Sequence, residues 1–274
     1  MSPIQQMLLG AGSAVASKNW IDDCFSTFVD SGTGNARTIV NNIDIADKGG
    51  LIWQKWRSGS ASANDNNSSH ILADTVRGTS KYLKANTNDS EFSVSAVGSF
   101  NSNGYQTGGN LTSTDNSGDK YVSYTFSRQK GFFTCLTYSG SGNARTISHD
   151  LGCVPGLIII KNLDTTDHWR VYHRSLGASQ TINLNTSSTA GSGNAYFNNT
   201  EPTASVFSVG TSESTNKLNS NFIAYLFAGG ESTNALARSV DFDGTNDYLS
   251  VADSDDFSFG SGAFTIEAWI KPTG

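Results

Sequence analysis

Three groups of side chains in this sequence could carry chemistry: four histidines, a run of acidic residues toward the C-terminus, and tryptophans with arginine neighbours. His149 stands beside Asp150 and His168 beside Asp167, with His70 and His173 elsewhere. Adjacent residues on a strand point to opposite faces, so neither His/Asp pair makes an acid–base dyad by adjacency alone. No nucleophile elbow, HExxH or paired Cys/His spacing accompanies them. The histidines therefore read as structural or surface residues, no catalytic residue is assigned, and the chain is not expected to be an enzyme.

The acidic run offers more. Asp241, Asp243, Asn246 and Asp247, followed by Asp253, Asp255 and Asp256, supply the oxygen ligands that calcium prefers. The spacing is not that of an EF-hand, because Gly244 follows Asp243 directly and no glutamate holds the twelfth position. Asx-turns would use the same residues without a metal. The third chemistry is sugar stacking, which pairs an aromatic face with polar side chains. Trp56 with Arg57 and Trp169 with Arg170 fit that description.

These residues have to be positioned by a scaffold, and the scaffold is repeated. The phrase SGTGNARTI at Ser31–Ile39 returns as SGSGNARTI at Ser139–Ile147, 108 residues later. Other phrases recur in the same order. Gly50 to Lys55 answers Gly156 to Lys161, so Trp53 matches Ile159 and reads as core. Arg77-Gly78 and Asn86-Thr87 answer Leu176-Gly177 and Asn185-Thr186, both at an offset of 99. Tyr105–Gly108 answers Phe207–Gly210, and Tyr121–Phe126 answers Phe222–Phe227 at an offset of 101. Drifting offsets are what loop deletions between retained strands produce. Two tandem modules follow, at residues 25–131 and 132–230, preceded by a segment 1–24 and followed by 231–274.

Each module reads as antiparallel β. Runs rich in Val, Ile, Phe, Tyr and Trp place strands at Phe25–Val29, Leu51–Trp56, Tyr121–Phe126, Phe133–Tyr138, Leu157–Lys161, Trp169–Tyr172, Thr181–Leu184 and Phe222–Phe227. Gly/Asn/Ser/Asp clusters between them read as turns. The fold class expected is all-β, tandem antiparallel sandwich or jelly-roll modules. In the repeated phrase, Gly34-Asn35 and Gly142-Asn143 suit a tight turn with positive φ, and Arg37 and Arg145 read as turn supports.

Composition narrows the partners. With 18 Lys+Arg against 24 Asp+Glu and no basic cluster, the chain lacks the charge for phosphate-driven binding of nucleic acid. No apolar run approaches the roughly 20 residues that span a bilayer, so membrane insertion is not expected. Ala14-Val15-Ala16 has the look of a cleavage site, but no Lys or Arg precedes it. Cys24, Cys135 and Cys153 form an odd set without metal or redox spacing and read as reduced, mostly buried thiols. Near the N-terminus Ile4, Met7, Leu8 and Leu9 give an apolar face too short to be buried on itself, which calls for a covering partner.

Two resemblances complete the reading. Asp241-Phe242-Asp243-Gly244, Asn246-Asp247-Tyr248, Phe264–Glu267 and Trp269 resemble the opening of a laminin-G-like (concanavalin-A-like) jelly roll. The family implies a domain longer than the residues present, so the protein is expected to continue past Gly274, and it often carries calcium. With Thr146–His149, Leu151-Gly152, Val154–Gly156, Ile158–Lys161 and Tyr225–Gly230, the whole chain resembles tail-fibre and adhesin-like proteins of marine tailed bacteriophages. That resemblance implies a virion tail component made in the bacterial cytoplasm, anchored to phage tail or baseplate proteins through Ile4, Met7, Leu8 and Leu9. It also implies a homotrimer that meets a host-surface glycan or receptor. The alternative is a secreted bacterial carbohydrate-binding adhesin built from the same modules.

Overall fold

A computed structural model describes residues 21–59, 69–108 and 112–229 of the chain, all within a compact unit that runs from Asn19 to Glu231. The fold is all-β and antiparallel, a sandwich of stacked sheets. The sequence-expected strands each fall in, or within one residue of, an observed one. No helix among the described residues is long and apolar enough to cross a membrane.

The first half contains β1 (Phe25–Ser31), β2 (Thr38–Val40), β3 (Gly50–Ser58), β4 (His70–Asp74), β5 (Leu83–Lys84), β6 (Val97–Asn101), β7 (Gly104–Thr107), the single turn α1 (Thr112–Asp115) and β8 (Lys120–Ser127). The second contains β9 (Phe133–Ser139), β10 (Arg145–Ser148), β11 (Pro155–Asn162), β12 (Arg170–His173), β13 (Gln180–Asn183), β14 (Gly191–Ser192), α2 (Asn194–Phe197), β15 (Val206–Val209), α3 (Glu213–Asn216) and β16 (Asn221–Ala228). One main sheet runs β1-β8-β3-β4-β5, and the other runs β9-β16-β11-β12-β13-β14. Small sheets, β2-β7-β6 and β10-β15, accompany them.

Register repeats along with order. Phe25 pairs with Phe126 as Phe133 pairs with Phe227; Leu51 faces Phe126 as Leu157 faces Phe227; Ile39 faces Tyr105 as Ile147 faces Phe207. These pairs carry the offsets 108, 101, 106 and 102 that separate the repeated phrases in the sequence. A one-residue slip would turn every side chain to the other face, so shared register means shared core positions.

The two halves are joined through a common core. Leu51, Leu72, Leu83 and Ala85 of the first main sheet pack with Phe133, Cys135, Ile159, Trp169, Val171, Ile223 and Tyr225 of the second. The outer face of each main sheet is covered separately. Ile52 and Ala73 pack with Ile39, Val97 and Tyr105, while Ile158, Ile160 and Leu226 pack with Ile147, Phe197 and Phe207. Both main sheets are therefore covered on both faces, which is why β11 reads as an unbroken apolar run rather than alternating.

The repeated phrase seals the end of each half. Gly34 and Gly142 hold φ of 79° and 75°, in the left-handed region that glycine tolerates. A Cβ on Gly32 would lie 2.1 Å from the Asn116 carbonyl oxygen, and one on Gly140 would lie 2.0 Å from that of Lys217. Only glycine lets the strand end pass so close to the turn that follows α1 or α3.

Candidate functional site

Of the proposed sugar-stacking residues, Trp169 is corrected outright. Its ring is 0% exposed in the shared core, and its Nε1 donates to the carbonyls of Lys84 at 3.1 Å and Thr87 at 3.2 Å in the other half. A ring with no free face cannot stack on a sugar. Arg170 is likewise absorbed by the scaffold: its guanidinium lies 4.3 Å from the Tyr196 ring centre and donates to Asn183 Oδ1 and Ser214 Oγ. Trp56 is half-buried at the end of β3 and donates from Nε1 to Asp119 Oδ2 at 3.0 Å, while Arg57 is exposed. The two Trp-Arg pairs sit on different main sheets and do not combine into one site. The residues Ile4, Met7, Leu8 and Leu9, and the calcium candidates Asp241, Asp243, Asn246 and Asp247, lie outside the described residues. Among the described residues no group of three or more His, Cys, Asp and Glu gathers to hold a metal.

The chemistry that sequence reasoning missed lies at the junction of the halves. Asp74, at the end of β4, is fully buried and accepts from Tyr225 Oη at 2.7 Å and from Arg77 Nε at 2.6 Å. Arg77 also donates to Glu91 Oε1, the Leu72 carbonyl and Tyr225 Oη. Its side chain is 3% exposed. Burial opposes its charge, but Asp74 and Glu91 outweigh that and raise its pKa. Tyr225, from the opposite half, is held well above the ordinary phenol value, chiefly by burial. Nearby, Lys161 is buried on β11 and donates from Nζ to the carbonyls of Asn162 at 2.9 Å and of Asn88, in the other half, at 3.4 Å. Burial lowers its pKa to about 8 against the opposing pull of Asp167 and Asp89. These groups stitch the halves together. The phrase match at an offset of 99 put Leu176 opposite Arg77, and that swap of arginine for leucine was the available signal.

Two open clefts flank the junction. One, of about 370 Å³, is lined by Lys48, Arg128, Gln129, Lys130, Phe133, Thr134 and Asp150. Arg128 donates to Asp150 Oδ2 at 2.7 Å and to Thr134 Oγ1 at 3.3 Å, and Thr134 donates to Asp150 Oδ1 at 2.6 Å. Burial would raise the Asp150 pKa, but the Thr134 hydrogen bond and Arg128 charge hold it below the ordinary carboxylate value. The other, of about 350 Å³, is lined by Arg77, Lys81, Glu91, Thr137, Leu163, Asp164 and Asn221, with Lys81 paired to Glu91 at 2.9 Å.

The histidines are positioned by the scaffold. Trp53 Nε1 donates to His70 Nδ1 at 3.0 Å, the Leu151 N–H donates to His149 Nδ1 at 3.3 Å, and burial lowers the pKa of both imidazoles. Cys24 and Cys135 are buried free thiols and Cys153 is half-buried.

Comparison with known proteins adds a family and little else. A family profile described as "Domain of unknown function (DUF7483)" matches residues 22–236, spanning both halves. No curated protein matches the sequence. A solved structure described as "Crystal Structure of the STIV MCP" is 9% identical, covering 74% of this chain and 84% of that one with a TM-score of 0.23. At that score the likeness establishes no shared fold.

Proposed function

The chain belongs to the DUF7483 family, and we propose that it is a structural component of a tailed-phage virion, a tail-fibre or adhesion protein that displays β modules toward the host surface. In this reading the N-terminal residues Ile4, Met7, Leu8 and Leu9 anchor to tail or baseplate proteins. The fused pair of modules forms a rigid body, and the laminin-G-like opening at 239–270 begins a recognition domain. Copies associate as a trimer, as the resemblance to phage fibres implies.

The observation that carries the proposal is the fusion of the halves. A family match that spans both halves treats the pair as its unit. The pair shares a core of large aromatic and aliphatic side chains, backed by a buried Asp74–Arg77–Tyr225 network. Such a body resists shear between its halves, because sliding them would expose apolar surface and part Tyr225 from Asp74 and Arg77. Rigidity of this kind suits a load-bearing appendage. The chain also enters and leaves this body at one end. The ring of Phe25, the first residue of β1, lies 4.9 Å from that of Phe126, whose ring is 5.4 Å from that of Phe227 near the end of β16.

Deletion of residues 1–20 tests the proposal. The truncated protein should keep its thermal transition and fail to enter particles in a complementation assay scored by electron microscopy. Normal incorporation would sink the anchor, and absence of the full chain from purified virions would sink the function.

A further inference from the structure

We propose that the cleft between Lys48, Arg128 and Lys130 binds the anionic group of an acidic saccharide, a uronate carboxylate being the reference chemistry. The proposal rests on the host-surface reading above and supplies its ligand class. Three cations line the cleft against the single carboxylate of Asp150, a local charge of +2 on a chain whose net charge is -6. Asp150 is spent on Arg128 and Thr134, so Lys48 and Lys130 supply the excess. Both lysines are exposed, and they come from different loops, Lys48 from the one before β3 and Lys130 from the one between β8 and β9. The volume of about 370 Å³ lies at the small end of the roughly 300–1,000 Å³ typical of ligand pockets. The lining is fixed rather than casual. The Arg128 amide donates to the Gly49 carbonyl at 2.8 Å, the Gly131 amide donates to that of Leu151 at 2.7 Å, and Phe133 forms a fully buried base.

The repeat provides an internal control. By the strand offsets, Lys48 corresponds to Val154, Arg128 to Gly229 and Asp150 to Asn42. None of the cations Lys48 and Arg128 and the carboxylate Asp150 is therefore repeated at its equivalent position. Residues the fold requires are shared between the halves, as at Gly32 and Gly140, whereas the charged lining occurs once, where the halves meet. A carboxylate placed between Lys48 and Lys130 would meet two ammonium groups, with Gln129 beside them in the lining.

The test is titration of the full chain with trigalacturonate, its neutral methyl ester, inorganic sulfate and inorganic phosphate, followed by calorimetry and by NMR of the lysine side chains. Trigalacturonate should bind, and its methyl ester should bind at least about tenfold more weakly, since removing the charge removes the Coulomb contact. Raising salt from about 0.05 M to about 0.5 M should weaken binding through screening. The double variant Lys48→Gln, Lys130→Gln should lose at least about tenfold in affinity while keeping the parent thermal midpoint, because surface changes of this kind alter stability little. Lys217→Gln, an exposed lysine in the second half paired with Glu213, should bind as the parent does. Equal binding of acid and ester, or no loss in the double variant, overturns the proposal. Binding of sulfate or phosphate but not of trigalacturonate identifies an adventitious ion only and also overturns it. Because the readout is a solution affinity, its failure leaves virion incorporation, tested separately, untouched.

Discussion

The two copies of the nine-residue phrase make the same turn over different chemistry. In the first half the Thr33 amide donates to Asp115 Oδ1 at 2.8 Å, and in the second the Ser141 amide donates to Asn216 Oδ1 at the same distance. The Gly34 and Gly142 amides donate to the carbonyls of those same two residues. The polar surroundings then diverge. Asp115 also accepts from Arg37 Nε at 3.0 Å and Thr107 Oγ1 at 2.9 Å, and Arg37 pairs in addition with Asp30. Asn216 instead donates from Nδ2 to the carbonyls of Asn143 and Gly210, while Arg145 remains exposed and reaches the Ser139 carbonyl. Tyr138, at the position equivalent to Asp30, donates to the Thr215 carbonyl at 2.6 Å. The turn needs an acceptor at one point and glycine at two others. It does not need a charge, so each half has satisfied the same backbone with its own network.

Exchanging residues between the halves tests how deep the difference goes, and the largest effect is expected at the junction. Arg77→Leu installs the residue found at the equivalent position 176. It leaves Asp74 buried without its cation and should cost about 3–5 kcal/mol, the usual penalty for orphaning a buried charge. Leu176→Arg, at a half-exposed position, should change stability by less than about 1 kcal/mol. Urea unfolding of the pair measures both, and equal costs would mean that the Asp74–Arg77–Tyr225 network does not hold the halves together.

The glycines should behave alike where the charges differ. Gly32→Ala and Gly140→Ala each push a methyl into a backbone carbonyl, and each should cost about 1–3 kcal/mol or more, the range for forced overpacking. The two thermal midpoints should fall by similar amounts. A large effect in only one half would show that the two copies of the phrase are not structurally equivalent.

Much of this equivalence was legible in the sequence, and the parts that were not share a cause. Long strands such as β3, β8, β11 and β16 announce themselves by apolar runs, and the phrase offsets match the observed pairing registers. The short strands β2, β5, β7 and β10 span two to four residues, too few for a period to emerge. Trp169 looked like a surface aromatic because the groups that bury it, the carbonyls of Lys84 and Thr87, lie more than eighty residues away. The cleft at Lys48, Arg128 and Lys130 was invisible for the same reason: Lys48 is remote in sequence from the other two and meets them only when β3 pairs with β8.

Reciprocal exchange at the turn should give a smaller, directional effect. Asn216→Asp removes the amide donors to two carbonyls and places an acid beside them at a position 0% exposed. It should cost about 1–3 kcal/mol, the desolvation penalty for a group left unsatisfied. Asp115→Asn keeps an acceptor for Thr33 and leaves Arg37 its second carboxylate, Asp30, so its cost should lie near about 1 kcal/mol. If Asp115→Asn proves the more damaging of the two, the Arg37 ion pairs matter more to the first half than the hydrogen-bond geometry does.

The smallest expected difference concerns pH. His70 occupies in the first half the position that Trp169 holds in the second, at the offset of 99. Burial, and secondarily the charge of Lys55, lower its pKa below the ordinary imidazole value, and its Nδ1 accepts from Trp53 Nε1. In the unfolded chain His70 takes up a proton near pH 6.5. In the folded chain it resists until lower pH, so between those values the unfolded state binds more protons. Stability must then rise with pH through that window and be lost as pH falls below about 6.5. His149, also depressed by burial, adds a slope of the same sign. Asp30, raised by burial against the opposing pull of Arg37, contributes the opposite sign, from the ordinary carboxylate value upward. His70→Asn keeps an acceptor for Trp53 and removes the titration. Its urea midpoint should therefore change less between about pH 5.5 and about pH 7 than the parent's does, with the remaining slope left to His149 and Asp30. Superimposable pH profiles for parent and variant would show that His70 titrates as it does in the unfolded chain, and that the exchange of tryptophan for histidine between the halves has no electrostatic consequence.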